Sequence, residues 1–253
     1  MNSPARSTEL SGCHPYEFVV PFIARAAPGG VVSVSTYEYR PQSVRDVRVV
    51  RQVSMAELIE PGWLERSVGQ LGPKRELSFH STVDVGANGI RKPVFHLPML
   101  DLATSDADVA HQVGRRLAAV IAGEPQPDGS SVRDPNWRLF FSGRSFHLYY
   151  LALLSTESWI RFLARALLEN PPGNPDIVDS RWVGHRMLAG YGALRWSWRT
   201  SHYRTAPTSV IPSQWARVPP SRSDCPDSDT FAMDEEASNV ADVAVARQGQ
   251  YAR

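Results

Sequence analysis

Apolar and polar positions alternate most sharply between Asn136 and Tyr150. Trp137, Leu139 and Phe141 share one face of a first strand, and Ser145, His147 and Tyr149 one face of a second, with Ser142-Gly143-Arg144 as the turn. Glycine there allows a sharp reversal and the close approach of a phosphate. The pattern is a hairpin: an ordinary member of a sheet, or a phosphate-binding one that projects Arg144 and His147 past its turn.

Upstream, Glu17–Ile23 and Val31–Tyr39 are β-rich on either side of Pro28-Gly29-Gly30, which predicts another hairpin. Val44–Val53 predicts a strand and Ser54–Ile59 a short helix before Pro61-Gly62. Glu76–Val85 alternates: Glu76, Ser78, His80, Thr82 and Asp84 lie on one face, Leu77, Phe79, Ser81, Val83 and Val85 on the other. Gly86–Gly89 reads as a turn, and the largely apolar run Val94–Asp101 as a central strand.

Three helices follow the same logic. Ser105 is placed to cap the first, with Asp108 at the capping-box position, a stripe of Ala110, Val113, Leu117, Val120 and Ile121, and Gly123 at its end. Ser155 or Thr156 caps the second, with Ile160, Leu163 and Leu167 facing inward and Pro171-Pro172-Gly173 as its stop. Asp179 or Ser180 caps the third, which Gly190 closes, and Ala193–Trp198 predicts a strand. The order gives an α+β fold: a mostly antiparallel sheet with helices on one face and a β-rich N-terminal portion.

Composition adds boundaries. The 253 residues, 42% hydrophobic, suffice for one substantial core. Residues 221–253 hold three Arg and seven Asp or Glu, a net of −4, which leaves the rest of the chain at +5. We expect a loose N-terminus over residues 1–14, one domain over 15–212 and a disordered acidic tail over 213–253 that can shield a basic groove. Cys13 and Cys225 make neither a disulfide framework nor a zinc spacing. No signal pattern and no membrane-spanning run is present, so the expectation is a cytoplasmic protein without a membrane partner.

Two carboxylates stand out. Asp101 ends an apolar strand, where its charge needs a metal ion or a helix N-terminus to compensate it, unless it simply steadies the loop that follows. Asp179 sits where a helix N-cap belongs. Asp101, then Ser142-Gly143-Arg144-Ser145-Phe146-His147, then Val178-Asp179 followed by Leu194-Arg195, resemble in order and spacing the archaeo-eukaryotic primase superfamily, over about residues 94–210. That family carries an Asp-x-Asp strand, a Ser-Gly-x-x-x-His hairpin and an apolar–Asp pair with a Leu-Arg segment downstream. Bacterial members with a single Asp in the first motif are the nearest in pattern.

The resemblance implies a primase-type palm and a primase-polymerase-like nucleotidyltransferase of DNA replication. Its ligands would be a nucleoside triphosphate and a single-stranded nucleic-acid template, with a helicase or another replication or defence protein as partner. Asp101 and Asp179 would hold Mg²⁺ or Mn²⁺. His147 would contact the triphosphate with Ser142, Gly143 and Arg144 beside it, and Arg195 a phosphate or the template. The chain departs at Ala103, where the second Asp of the first motif belongs. Asp84 and His80 are candidates to fill that gap; Asp106 and Asp108 belong to the next helix. The alternative implied by Ala103 is a catalytically degenerate, nucleic-acid- or nucleotide-binding member of a bacterial defence or mobile-element system.

Other residues weigh less. His96, on the opposite strand face from Asp101, reads as a core histidine. Trp182, Trp196 and Trp198 read as core rather than as base-stacking platforms, while His185 and Arg186 face either a cleft or solvent. His202, Tyr203 and Arg204 line a template groove or begin the tail.

Overall fold

The structure is a computed structural model that describes residues 9–10, 12–38, 47–85, 94–198, 200 and 203–211. The expected acidic tail, the Gly86–Gly89 turn, His202 and most of the expected loose N-terminus lie outside the described residues.

In chain order the elements are β1 (Glu9–Leu10), α1 (Pro15–Ala26), β2 (Val31–Glu38), β3 (Arg48–Ser54), α2 (Met55–Leu58), α3 (Trp63–Gly69), β4 (Arg75–Asp84), β5 (Val94–His96) and β6 (Met99–Asp101). Then come α4 (Ala107–Ile121), β7 (Trp137–Phe141), β8 (Phe146–Tyr150), β9 (Leu154–Ser155), α5 (Thr156–Leu167), α6 (Ser180–Ala189), β10 (Ala193–Arg195) and β11 (Thr208–Ile211). The class is α+β with antiparallel pairing, as the pattern predicts.

The strands form two sheets rather than one. The N-terminal sheet runs β3-β2-β4-β5-β9, with β10 also paired to β4, and the second runs β1-β11-β7-β8-β6. The expected single strand Val94–Asp101 is what divides them. Pro98 has no amide to continue a ladder. The Leu97 amide still donates to Ser81 of β4 at 2.7 Å, whereas the Pro98 carbonyl already accepts from Tyr150 of β8 at 3.0 Å. The chain thus leaves the first sheet as β5 and enters the second as β6, at the end of its strand order and not at its centre.

The expected strand Glu17–Ile23 is instead part of α1. A run of β-branched and aromatic residues does not separate strand from helix by period; the caps decide it. His14 accepts from the Tyr16 amide, Glu17 reaches back to the His14 amide, and Pro15 occupies the first turn. Phe18, Val19, Val20 and Ile23 then pack with α2, α3 and the N-terminal sheet in one core cluster.

The caps predicted for α4, α5 and α6 fall within a residue of their places. Ser54, Asp106, Ser155 and Asp179 cap α2, α4, α5 and α6, and the left-handed Gly190 ends α6. Helices α4 and α5 cover the second sheet and share a second cluster with it. In α5 the buried residues include Trp159, Phe162, Leu163 and Ala166, while Ile160, expected inside, is 44% exposed, because the buried stripe is turned one residue toward Trp159.

The alternation in β4 is as read, but neither face is open to solvent. Leu77, Phe79 and Val83 enter the first core cluster. Glu76, Ser78 and His80 are also buried. Ser197 and Thr200 hydroxyls donate to the Glu76 carboxylate, Ser78 and Ser35 hydroxyls are 2.9 Å apart, and His80 Nε2 shares a 2.8 Å hydrogen bond with Ser35. The polar groups of Glu76, Ser78 and His80 are thus paired inside the protein.

Packing is tightest where Gly114 of α4 meets Trp137 of β7: a Cβ there would stand 2.4 Å from the indole ring. Alanine gains about 1 kcal/mol of helix propensity over glycine, but overpacking a rigid ring costs about 1–3 kcal/mol. The clash wins at this distance. Gly114→Ala is expected to lower the unfolding free energy by about 1–2 kcal/mol in urea denaturation; equal or greater stability would contradict this packing.

Candidate functional site

Asp101 and His147 are opposite each other in the register of β6 and β8. His147 Nε2 lies 4.0 Å from Asp101 Oδ1. Asp179 joins them through the backbone: Leu102 and Val178 form an antiparallel bridge, Ala103 donates to the Ile177 carbonyl at 2.8 Å, and the Asp179 amide donates to the Asp101 carbonyl at 3.0 Å. Asp179 Oδ1 also accepts from the Trp182 amide at 2.8 Å and caps α6. The N-cap role and the placement beside Asp101 are therefore the same geometry.

These residues line a cleft of about 430 Å³ between the two sheets, together with Ser142, Arg144 and Arg195. That volume suits a nucleotide-sized ligand. The turn is closed by the Ser142 amide and hydroxyl, both donating to the Ser145 carbonyl at 2.9 and 3.1 Å. Gly143 has φ +113° with open space around its missing Cβ, so the requirement for glycine is conformational. Arg144 stands exposed beside it.

The electrostatics follow from crowding in a dry place. Burial first, and the Asp179 charge second, push Asp101 up to about 7, against the opposing pull of Arg195. Burial, with Arg195 and His14 adding to it, holds His147 well below the usual histidine range. His147 is thus neutral at physiological pH, and its buried Nδ1 has no hydrogen-bond partner among the described residues. Such an orphaned atom costs about 1–3 kcal/mol, a cost that packing alone does not explain.

Arg195 lines the cleft, but several of its donors face inward. It bonds the carbonyls of Ser142 at 2.6 Å, Thr205 at 3.3 Å and Ser197, and its guanidinium lies 4.0 Å from the Tyr203 ring centroid. It ties the hairpin turn of the second sheet to β10 of the first.

Ala103 also lines the cleft, beside Asp101. Glu38 also lines the cleft, but among the described residues no third carboxylate clusters with Asp101 and Asp179. Asp84 pairs at the other end of β4 with Val31 and Val94, His80 is buried against Ser35 and stacked on Tyr191, and Asp106 caps α4. Among the described residues no group of three or more His, Cys, Asp or Glu is placed to hold a metal ion.

The secondary candidates separate cleanly. His96 is a core histidine, stacked on Trp159 and hydrogen-bonded to Ser81 and Thr156, and burial lowers its pKa to about 4. Trp196 is fully buried against Phe79. Trp182, His185, Arg186 and Tyr203 reach the cleft. The sequence reading missed Tyr37, Glu38 and Arg48, which also line it. They sit in a β-rich stretch with no motif of its own, and only the sheet register brings them there.

A family described as AEP-like, archaeo-eukaryotic primase 1D-like, matches residues 56–208, more than half of the chain. The chain belongs to this primase-like family. No curated protein and no solved structure matches it. The matched span contains Asp101, the Ser142–His147 turn, Asp179 and Arg195 and leaves out α1, β2 and β3. Membership places the protein with primase-like nucleotidyltransferases at the level of the superfamily. Among the described residues no helix is long and apolar enough to cross a membrane.

The raised pKa of Asp101 has a sign for stability. Between about pH 4 and about pH 7 the folded state holds a proton there that the unfolded chain has released, so this group's contribution to stability falls as pH rises through that window and is level above it. Asp101→Asn is expected to gain stability relative to the parent protein over the same window, measured by chemical denaturation at several pH values. A difference that stays flat would show that Asp101 is not perturbed.

Proposed function

We propose that the protein is a primase-polymerase-like nucleotidyltransferase, acting on a nucleoside triphosphate and a single-stranded nucleic-acid template with one divalent cation, Mg²⁺ or Mn²⁺. The observation that carries this reading is the convergence of Asp101, His147 and Asp179, from three distant segments, in one cleft.

The donor set fits one such cation. Two carboxylates are held side by side by backbone pairing, and their mutual repulsion is part of why Asp101 titrates near 7. Hard divalent cations take carboxylate oxygens. When bound, the ion would relieve the repulsion of this pair and polarise a phosphate oxygen of a triphosphate. The rest is the work of the chain. Neutral His147 can donate one hydrogen bond to a phosphate oxygen, Arg144 supplies an exposed cation beside the turn, and Arg195 holds the turn in place. Asp101 must give up its proton before it can bind a cation, so cation affinity rises with pH through about 7.

Ala103 favours a second reading, in which the cleft binds nucleotide or nucleic acid without turnover. Primer synthesis and extension in Mn²⁺ separate the two. The expected outcome is incorporation by the parent protein that Asp101→Ala abolishes and that strengthens between about pH 6 and about pH 8. Single-strand binding without incorporation, in both the parent and Ala103→Asp, would establish the second reading instead.

A further inference from the structure

One wall of the cleft comes from residues that the family match leaves out. Tyr37, near the end of β2, and Arg48, at the start of β3, are register partners. The Arg48 side chain does not stay over its own strand. It donates to the Ser35 hydroxyl on β2 at 3.2 Å and to the Ser78 hydroxyl on β4 at 2.6 Å, and its guanidinium lies 4.0 Å from the Tyr37 ring centroid. With strands about 4.8 Å apart, the charged head is carried roughly 10 Å across the sheet toward the cleft.

Ser78 is paired on its other side with Arg195 of β10. Arg48 and Arg195 therefore line the cleft from strands on opposite sides of β4, each guanidinium at 4.0 Å from a tyrosine ring. Arg195 bonds backbone carbonyls, which fixes it as a tie between elements. The partners of Arg48 include serine hydroxyls, which rotate and can redirect a donor or a lone pair when a ligand arrives. A planar cation braced on an aromatic ring and aimed into a cleft is suited to a phosphate, which it meets in a two-pronged fork.

We propose that Arg48, braced by Tyr37, binds the polyphosphate of the nucleoside triphosphate received by Asp101 and His147, so that the β2–β3 hairpin is part of the nucleotide site. This rests on the nucleotide-binding reading above. The role belongs to Arg48 itself; Tyr37 is a positioning residue that holds its plane.

The test is calorimetric titration of the full chain, in Mn²⁺, with a nucleoside triphosphate, the corresponding nucleoside and a single-stranded oligonucleotide. Arg48→Gln is expected to weaken triphosphate binding about ten- to a hundredfold and to leave the nucleoside unchanged. Arg48→Lys keeps the charge but loses the fork, and is expected to recover part of the loss with an unchanged melting temperature; it also serves if Arg48→Gln does not fold. Triphosphate affinity like the parent's in either variant, with His147→Ala weakened, overturns the assignment of Arg48 and spares the nucleotide site. A loss shared equally by nucleoside and triphosphate, or confined to the oligonucleotide, overturns it as well. If the parent protein binds no triphosphate, both readings fall together.

Discussion

The 3.0 Å bond from the Asp179 amide to the Asp101 carbonyl is the constraint on which the cleft depends. It forces two carboxylates into the same low-dielectric space, which neither would choose. What holds them there is next to them in the chain. Leu102 and Val178 form the bridge beside Asp101 and Asp179, and both are fully buried in the cluster shared with α4 and α5. Burying two such side chains contributes roughly 3–5 kcal/mol. That offsets the repulsion between their charged neighbours, so the hydrophobic core of the second sheet sets the charge separation of the site.

The two sheets share an apolar core, in which Met99, Phe140 and Tyr149 cluster with Phe79 and Trp196, and beside it the first sheet reaches the site through polar groups. Glu76 receives the hydroxyls of Ser197 and Thr200, and the Ser197 hydroxyl in turn accepts from the Leu77 amide at 2.8 Å. Arg195, one residue past the core residue Leu194, carries this network over to the Ser142 turn. A network of this kind stabilises only when its members are satisfied, and then it fixes one relative placement of its parts. The hairpin turn is thus positioned by a directed bond from Arg195 as well as by apolar packing.

The legible parts of this architecture are local. The hairpin, the caps at Ser155 and Asp179 and the glycine stop of α6 each depend on a few adjacent residues, and all stand where the sequence places them. The other parts were either ambiguous in their own stretch or decided at a distance. The Phe18–Ile23 run has no period that separates strand from helix, and a capping box on His14, a less usual capping residue, decided it. Pro98 announces a broken ladder, but not that the two halves join different sheets. In the site, Asp101, His147 and Asp179 were legible because their order follows a family pattern. Tyr37 and Arg48 were not, because their place in the cleft comes from pairing with β4, and nothing in their own stretch marks it.

Ala103 gains meaning from the charges around it. A pair of carboxylates balances one divalent cation, whereas a third carboxylate would leave a negative charge that only a second cation or a nearby base relieves. In this cleft the added charge would also raise Asp101 further, since burial and one like charge already bring it to about 7. With alanine at that position, Asp101 still ionises near neutrality. The positive charge that a polyanionic ligand requires is then left to Arg144 at the turn, to Arg186 on α6, to Arg195 on β10 and to Arg48 on the opposite wall. Arg48 brings its charge to the same cleft as the Asp101–Asp179 pair, which is the physical reason to treat the segment outside the family match as part of the site.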